Sequence, residues 1–243
     1  MFSLCRKELY LKTLIIPCAG KSSRFLGEKP KWMLEDSKGV SMISKSTEAL
    51  IGLYDKVIIT VTSSQEEKFD CQLFLKKVFK GKTVDVCILK NDTFSASETV
   101  FETIRQKSVK GFITIKDSDC DVQFDPEEKE EYIVGKKVDS DTRRLNAKSF
   151  IIKDENDIVI DIMEKRIVSS QICVGVYSCL CDHFERSYKN IIDSGLRLCD
   201  AEVYVSHVFS HIILKYGNIF NYVECSKYLD FGTEKEWKEN KDE

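Results

Sequence analysis

Apolar and polar positions fall into blocks along this chain. Short apolar runs closed by polar turns predict β-strands over 14–18, 56–62, 84–89 and 112–115, and the longer stretches between them predict helices over 41–51, 65–80 and 95–106. The second half is less regular. It reads as strands near 132–138, 149–152, 158–163 and 172–179, helices near 181–194 and 201–216, and a last strand near 220–223. Alternation of this kind buries strands on both faces, so the pattern predicts an α/β fold with a mostly parallel, mixed central sheet between layers of helices. Ligands of such sheets gather at the carboxyl ends of the strands. No linker-like composition and no repeat interrupts the pattern. The expected organisation is an N-terminal extension over 1–12, a single domain over 13–237 and a frayed tail over 238–243.

Composition narrows the class. A chain of 243 residues is long enough for one sizeable core. Its formal net charge of −3 provides no general attraction to nucleic acid or to an anionic membrane. Neither is an expected partner, and a bound phosphate would need a local cluster of cations. No apolar run approaches the roughly 18 residues of a membrane span, and 1–12 lacks the apolar centre of a signal peptide. The expected location is cytoplasmic. The ten cysteines are scattered and sit mostly in apolar segments, which reads as small core residues of a reducing compartment. Cys179 and Cys181 would point the same way on a strand, but no second pair completes a zinc site. The oligomeric state is left open, with a homodimer among the options.

Three segments carry chemistry. The first predicted strand empties into Ala19-Gly20-Lys21-Ser22-Ser23-Arg24, followed by Pro30-Lys31. Backbone N–H groups and cations at the carboxyl end of a strand make an anion site. The spacing of glycines excludes both the Walker loop and the dinucleotide fingerprint. After the strand at 112–115 comes Asp117-Ser118-Asp119-Cys120-Asp121, with hard oxygen ligands at alternate positions that suit Mg²⁺ or, equally, a solvated turn. Near the other end, Asp230-Phe231-Gly232-Thr233 puts an acid before a helix start; Thr233 and Glu236 fit a capping box, with Asp230 free to point into a cleft. Other features read more plainly. His207 and His211 lack a third metal ligand, Arg143-Arg144 reads as a solvated turn rather than an anion site, and Ser95 with Glu98 reads as a helix cap.

Taken together, these segments resemble the nucleotide-sugar pyrophosphorylases, the sugar-phosphate nucleotidylyltransferase family, from about Thr13 to Trp237. That family carries A-G-x-G-[ST]-R and then P-K, and Ala19, Gly20, Ser23, Arg24, Pro30 and Lys31 match, with Ser22 standing where the second Gly is usual. Its later motifs are an Asp after the fourth strand, an E-K pair, G-x-Y, G-E-x-x-[IT]-[ST] and D-x-G-T. They are matched by Asp119 (or Asp117), Glu164-Lys165, Gly175-Val176-Tyr177, the segment from Ala201-Glu202 to Ser206, and Asp230-Phe231-Gly232-Thr233.

The resemblance implies a Rossmann-like, GT-A-type three-layer sandwich. It also implies condensation of a nucleoside triphosphate with a sugar 1-phosphate, or a similar phosphorylated acceptor, to an activated product and pyrophosphate. By the same resemblance Arg24, Lys31 and Lys165 are catalytic, and Ala19, Gly20, Lys21, Ser22, Ser23, Ser95 and Asp117 bind nucleotide. Glu164, Lys165, Gly175, Tyr177 and Glu202 would bind the acceptor, and Asp119 and Asp230 the cofactor Mg²⁺. Base choice is not readable, because no Gln lies in 90–99 and Ser95 replaces a Gly, leaving Ser95 and Ser97 as candidates for base contact. Two other readings remain: a glycosyltransferase using Asp117-Ser118-Asp119 as a D-x-D motif, and a non-catalytic relative that binds sugar nucleotides.

Overall fold

Alternate residues of the first strand face opposite cores. Leu14 and Ile16 point into one apolar cluster and Ile15 into another, all three fully buried. The period of two is what a strand requires when helices cover both of its faces. The computed structural model describes residues 11–20, 25–125, 130–195 and 202–243. Among them the central sheet has nine strands in the order β3-β2-β1-β4-β9-β6-β10-β8-β7. These are β1 (Lys12–Pro17), β2 (Lys56–Thr62), β3 (Asp85–Leu89), β4 (Phe112–Lys116), β6 (Tyr132–Lys137), β7 (Ser149–Lys153), β8 (Ile158–Glu164), β9 (Gln171–Leu180) and β10 (Phe220–Glu224). β5 (Cys120–Gln123) and β11 (Lys227–Asp230) form a separate antiparallel ribbon.

The sheet is mixed, with its parallel character concentrated on one side. β3, β2, β1 and β4 pair in parallel, whereas β9 runs antiparallel to β4, β6 and β7. Helices α4 (Ala96–Lys107), α5 (Cys181–Asp193) and α6 (Val205–Tyr216) cover one face through Val100, Ile104, Phe184, Phe209 and Ile212. On the other face lie α1 (Met42–Thr47), α2 (Ser63–Phe69) and α3 (Cys71–Val78), with Ile43, Cys71 and Leu75 in the second cluster. A smaller cluster of Phe25, Met42, Phe231 and Trp237 ties α7 (Glu234–Asn240) to the ribbon end.

Several boundaries differ from the pattern. The helix expected over 65–80 is broken into α2 and α3 at Asp70, whose φ of 50° is left-handed, a conformation that Asp tolerates better than most residues. The helix expected from 201 begins at Val205; Tyr204 is extended, and its N–H donates to His207 Nδ1 at 3.2 Å. The tail expected to fray instead carries α7 as far as Asn240. Beyond it, the Asp242 carboxylate accepts from the Ser37 N–H at 3.1 Å and hydroxyl at 2.5 Å. The ribbon of β5 and β11 had no counterpart in the pattern, because four-residue strands carry too little periodicity to register. The eight described cysteines are free and buried, and no helix is long and apolar enough to cross a membrane among the described residues.

Candidate active site

The carboxyl ends of the strands open onto a cleft of about 760 Å³, lined by Gly20, Lys31, Asp117, Asp119, Glu164 and Asp230 among others. Its first wall is the exit of β1. The Cys18 carbonyl accepts from Trp32 Nε1 and from Gln65 Nε2, both at 3.1 Å, so a buried indole and a capping-box side chain fix where the strand ends. Ala19 is buried, and a Cβ at Gly20 would meet nothing within 4 Å among the described residues. Lys21, Ser22, Ser23 and Arg24 lie outside the described residues. Pro30 then starts a single 3₁₀ turn (Lys31–Met33), and this turn aims Lys31 across the cleft to Asp119 Oδ2 at 2.6 Å.

The acidic turn after β4 rests on a buried cation. Lys116 is fully buried, and its Nζ donates to the carbonyls of Asp117 at 2.6 Å and Cys120 at 2.7 Å. That ammonium staples the backbone which presents Asp117 and Asp119. Asp117 lies under Gly175: its N–H donates to the Gly175 carbonyl at 2.9 Å, and a Cβ on Gly175 would sit 2.5 Å from Asp117 Oδ2. Gly175 also has φ +77°, so both space and backbone demand glycine. Burial, then the neighbouring Asp119 charge, pushes the Asp117 carboxyl up to about 7.

The ribbon brings the third acid in. Cys120 pairs with Asp230 across β5 and β11, and the Phe231 N–H donates to the Asp119 carbonyl at 2.8 Å. Asp230 Oδ1, Arg144 Nη2 and Asp119 Oδ2 consequently lie 2.9, 3.2 and 3.4 Å from one point above Gly232, where a Cβ would be. Asp230 Oδ1 accepts from the Gly232 N–H at 2.8 Å, and its other oxygen is ion-paired with Lys148 and, at 3.4 Å, with Arg144 Nη2. Arg144 in turn grips the buried Glu236 with two bonds of 2.7 Å. Thr233 caps α7 as expected, but the Glu236 carboxylate is taken by Arg144 and the Thr233 hydroxyl.

Arg144 is thus a structural cation of the cleft wall, correcting its reading as a solvated turn. Lys148 and Lys116 were not singled out in the sequence at all. Lys148 takes its meaning from Asp230, 82 residues away, and Lys116, at the end of β4, from a burial that its own neighbours do not announce.

On the far side, the Glu164 carboxylate accepts from the hydroxyls of Ser149 and Ser206, the latter at 2.6 Å. Lys165 has a left-handed φ of 54°, and its Nζ donates to the Tyr204 hydroxyl at 2.6 Å while lying 4.4 Å from that ring's centroid. Glu202 lines the cleft beside Tyr204, whose hydroxyl is shifted upward mainly by burial. Tyr177 forms part of the floor, 5% exposed, its ring 4.9 Å from that of Phe209. Ser95 lines the cleft and caps α4, accepting from the Glu98 N–H at 3.1 Å; the Glu98 carboxylate turns to the Phe94 N–H at 2.6 Å. Ser97 is fully buried and bonded to the Val203 carbonyl. His207 and His211 belong to no group of three metal-binding side chains among the described residues; His211 Nδ1 is 2.7 Å from the Ser187 hydroxyl.

No protein-family model matches the sequence, and no curated protein is significantly similar to it. Solved structures do match in fold. A nucleoside-diphosphate-sugar pyrophosphorylase from Vibrio cholerae RC9 superposes with a TM-score of 0.77 at 18% identity, covering 95% of this chain and 100% of that one. An inositol-1-phosphate CTP transferase from T. maritima gives 0.70 at 14% identity over 94% and 91% of the two chains. A UDP-glucose pyrophosphorylase complexed with UDP-glucose gives 0.71 at 14% identity over 96% and 97%. The chain therefore has the α/β fold of these nucleotidyltransferases along nearly its whole length, as the motif resemblance implied.

Proposed function

We propose that the protein is a nucleotidyltransferase that joins a nucleoside triphosphate to a sugar 1-phosphate or a similar phosphorylated acceptor, releasing pyrophosphate. The observation that carries the reading is the meeting of Lys31, Asp119 and Asp230 in one cleft, from segments far apart in sequence. The solved nucleotidyltransferases of the same fold add to it.

The chemistry needs two polyanions held in line and charge neutralised on the leaving pyrophosphate; a phosphate nucleophile needs no general base. In this reading Gly20, the neighbouring backbone, Lys21 and Arg24 hold the outer phosphates. Lys31 reaches the α-phosphate and the incoming phosphate. Glu164 and Glu202 take acceptor hydroxyls, Lys165 the acceptor phosphate, and Gly175 and Tyr177 shape the floor. Asp119 and Asp230 are the hard oxygen donors that would hold a magnesium ion in this reading, and the ion would take the place of Lys31 and Lys148, which now pair with the same carboxylates. Bound there, Mg²⁺ would offset charge on the triphosphate. Asp119 is the ligand of its turn in this reading, because Asp117 is packed against Gly175.

Pyrophosphate release with Mg²⁺ tests the proposal, crossing CTP, UTP, dTTP, GTP and ATP with sugar 1-phosphates and phosphorylated alcohols. Release that requires one triphosphate and one acceptor together, and that stops with EDTA, is expected. Silence from a protein that still binds nucleotide in a thermal-shift assay would overturn the catalytic reading in favour of a binding relative.

A further inference from the structure

One large apolar side chain is held in solvent at the cleft itself. Phe94, between β3 and α4, is 88% exposed and lines the cleft, while its neighbours Thr93 and Ser95 are buried. The exposure is built in. Thr93 Oγ1 lies 2.7 Å from Thr99 Oγ1, Ser95 caps α4, and the Phe94 N–H donates to Glu98 Oε2 at 2.6 Å. The backbone is fixed on both sides of the residue and the ring is left outward.

We infer that Phe94 is the surface on which the nucleobase of the triphosphate stacks, an inference that rests on the nucleotide reading above. Phe94 belongs to the parallel side of the sheet, which also carries the Gly20 turn, whereas Glu164 and Lys165 come from the other side. Polar groups of the same loop are already committed: Ser97 to the Val203 carbonyl, Ser95 to the Glu98 N–H. Of the loop residues that line the cleft, Phe94 is the exposed one, and it offers a ring face. Every nucleobase has a π-face, so stacking adds affinity while discriminating weakly among bases.

The test is calorimetric titration of wild type, Phe94→Ala and Phe94→Trp with the five triphosphates and with inorganic tripolyphosphate, which has no base, all with Mg²⁺. Phe94→Ala should weaken the preferred triphosphate by about tenfold and leave tripolyphosphate unchanged. Phe94→Trp should restore binding and report it as a change in tryptophan fluorescence. Equal triphosphate affinity in wild type and Phe94→Ala would overturn the inference alone, as would an equal loss of tripolyphosphate. A wild type that binds none of the five triphosphates would overturn the nucleotide reading, and the inference with it. The exposed position makes folding failure a poor explanation of any loss, and unchanged melting temperature checks this directly.

Discussion

The two sides of the sheet build their shares of the cleft differently. On the parallel side, turns and caps present the groups: the Pro30 turn carries Lys31, which then meets Asp119 across 88 residues, the Thr62–Gln65 capping box reaches the end of β1, and Ser95 caps α4. On the other side, charged side chains are set by partners far away in sequence. Arg144 meets Glu236 across 92 residues, and Lys148 meets Asp230 across 82. Carboxylates gathered in one place need counter-charges, and those must come from wherever the fold brings cations.

The sharpest way to break this contrast is to remove one charge from each side. Lys31→Ala and Asp230→Ala should each lower the rate of pyrophosphate release on the order of 10²- to 10³-fold, measured at saturating substrates. If only one variant is impaired, the two sides do not share a reaction centre. Gly175→Ala comes next. It places a Cβ against Asp117 in a left-handed backbone, so chemical denaturation should show a loss of more than about 1 kcal/mol.

Ser95→Ala should cost about 1 kcal/mol through loss of the α4 cap and leave the preference among triphosphates unchanged. A switched preference would show that Ser95 reads the base. The smallest expected effect is a pH dependence at His207, beside Tyr204. Burial lowers the pKa of His207, so its contribution to stability is present above the ordinary histidine value and is lost as pH falls through the lowered one. Unfolding midpoints from pH 7.5 to 5 should therefore decline less in His207→Gln than in wild type, because protonation opposes the bond from the Tyr204 N–H.

The fold was largely legible because its strands and helices declare themselves by local periodicity: β2 over 56–62 and α4 after Ser95 fall where the pattern puts them. The misplaced elements are those where periodicity is short or interrupted, such as the β5–β11 ribbon and the break at Asp70. Site residues divide the same way. Lys31, Asp119, Glu164 and Asp230 sit in recognisable motifs, and all four line the cleft. Arg144 was legible as a cation but not as a partner of Asp230, and Lys148 not at all.

By itself the sequence determined the α/β layering and which acids were candidates for the cleft, since both follow from neighbours within a few residues. Only the tertiary structure decided which acids meet, which cations hold them and which carboxylate is pressed toward its neutral form. The physical reason is range. Periodicity and capping act over one or two turns of chain, whereas burial and charge pairing depend on distances in space, and those exist only once β11 has paired with β5 and Gly175 has closed over Asp117.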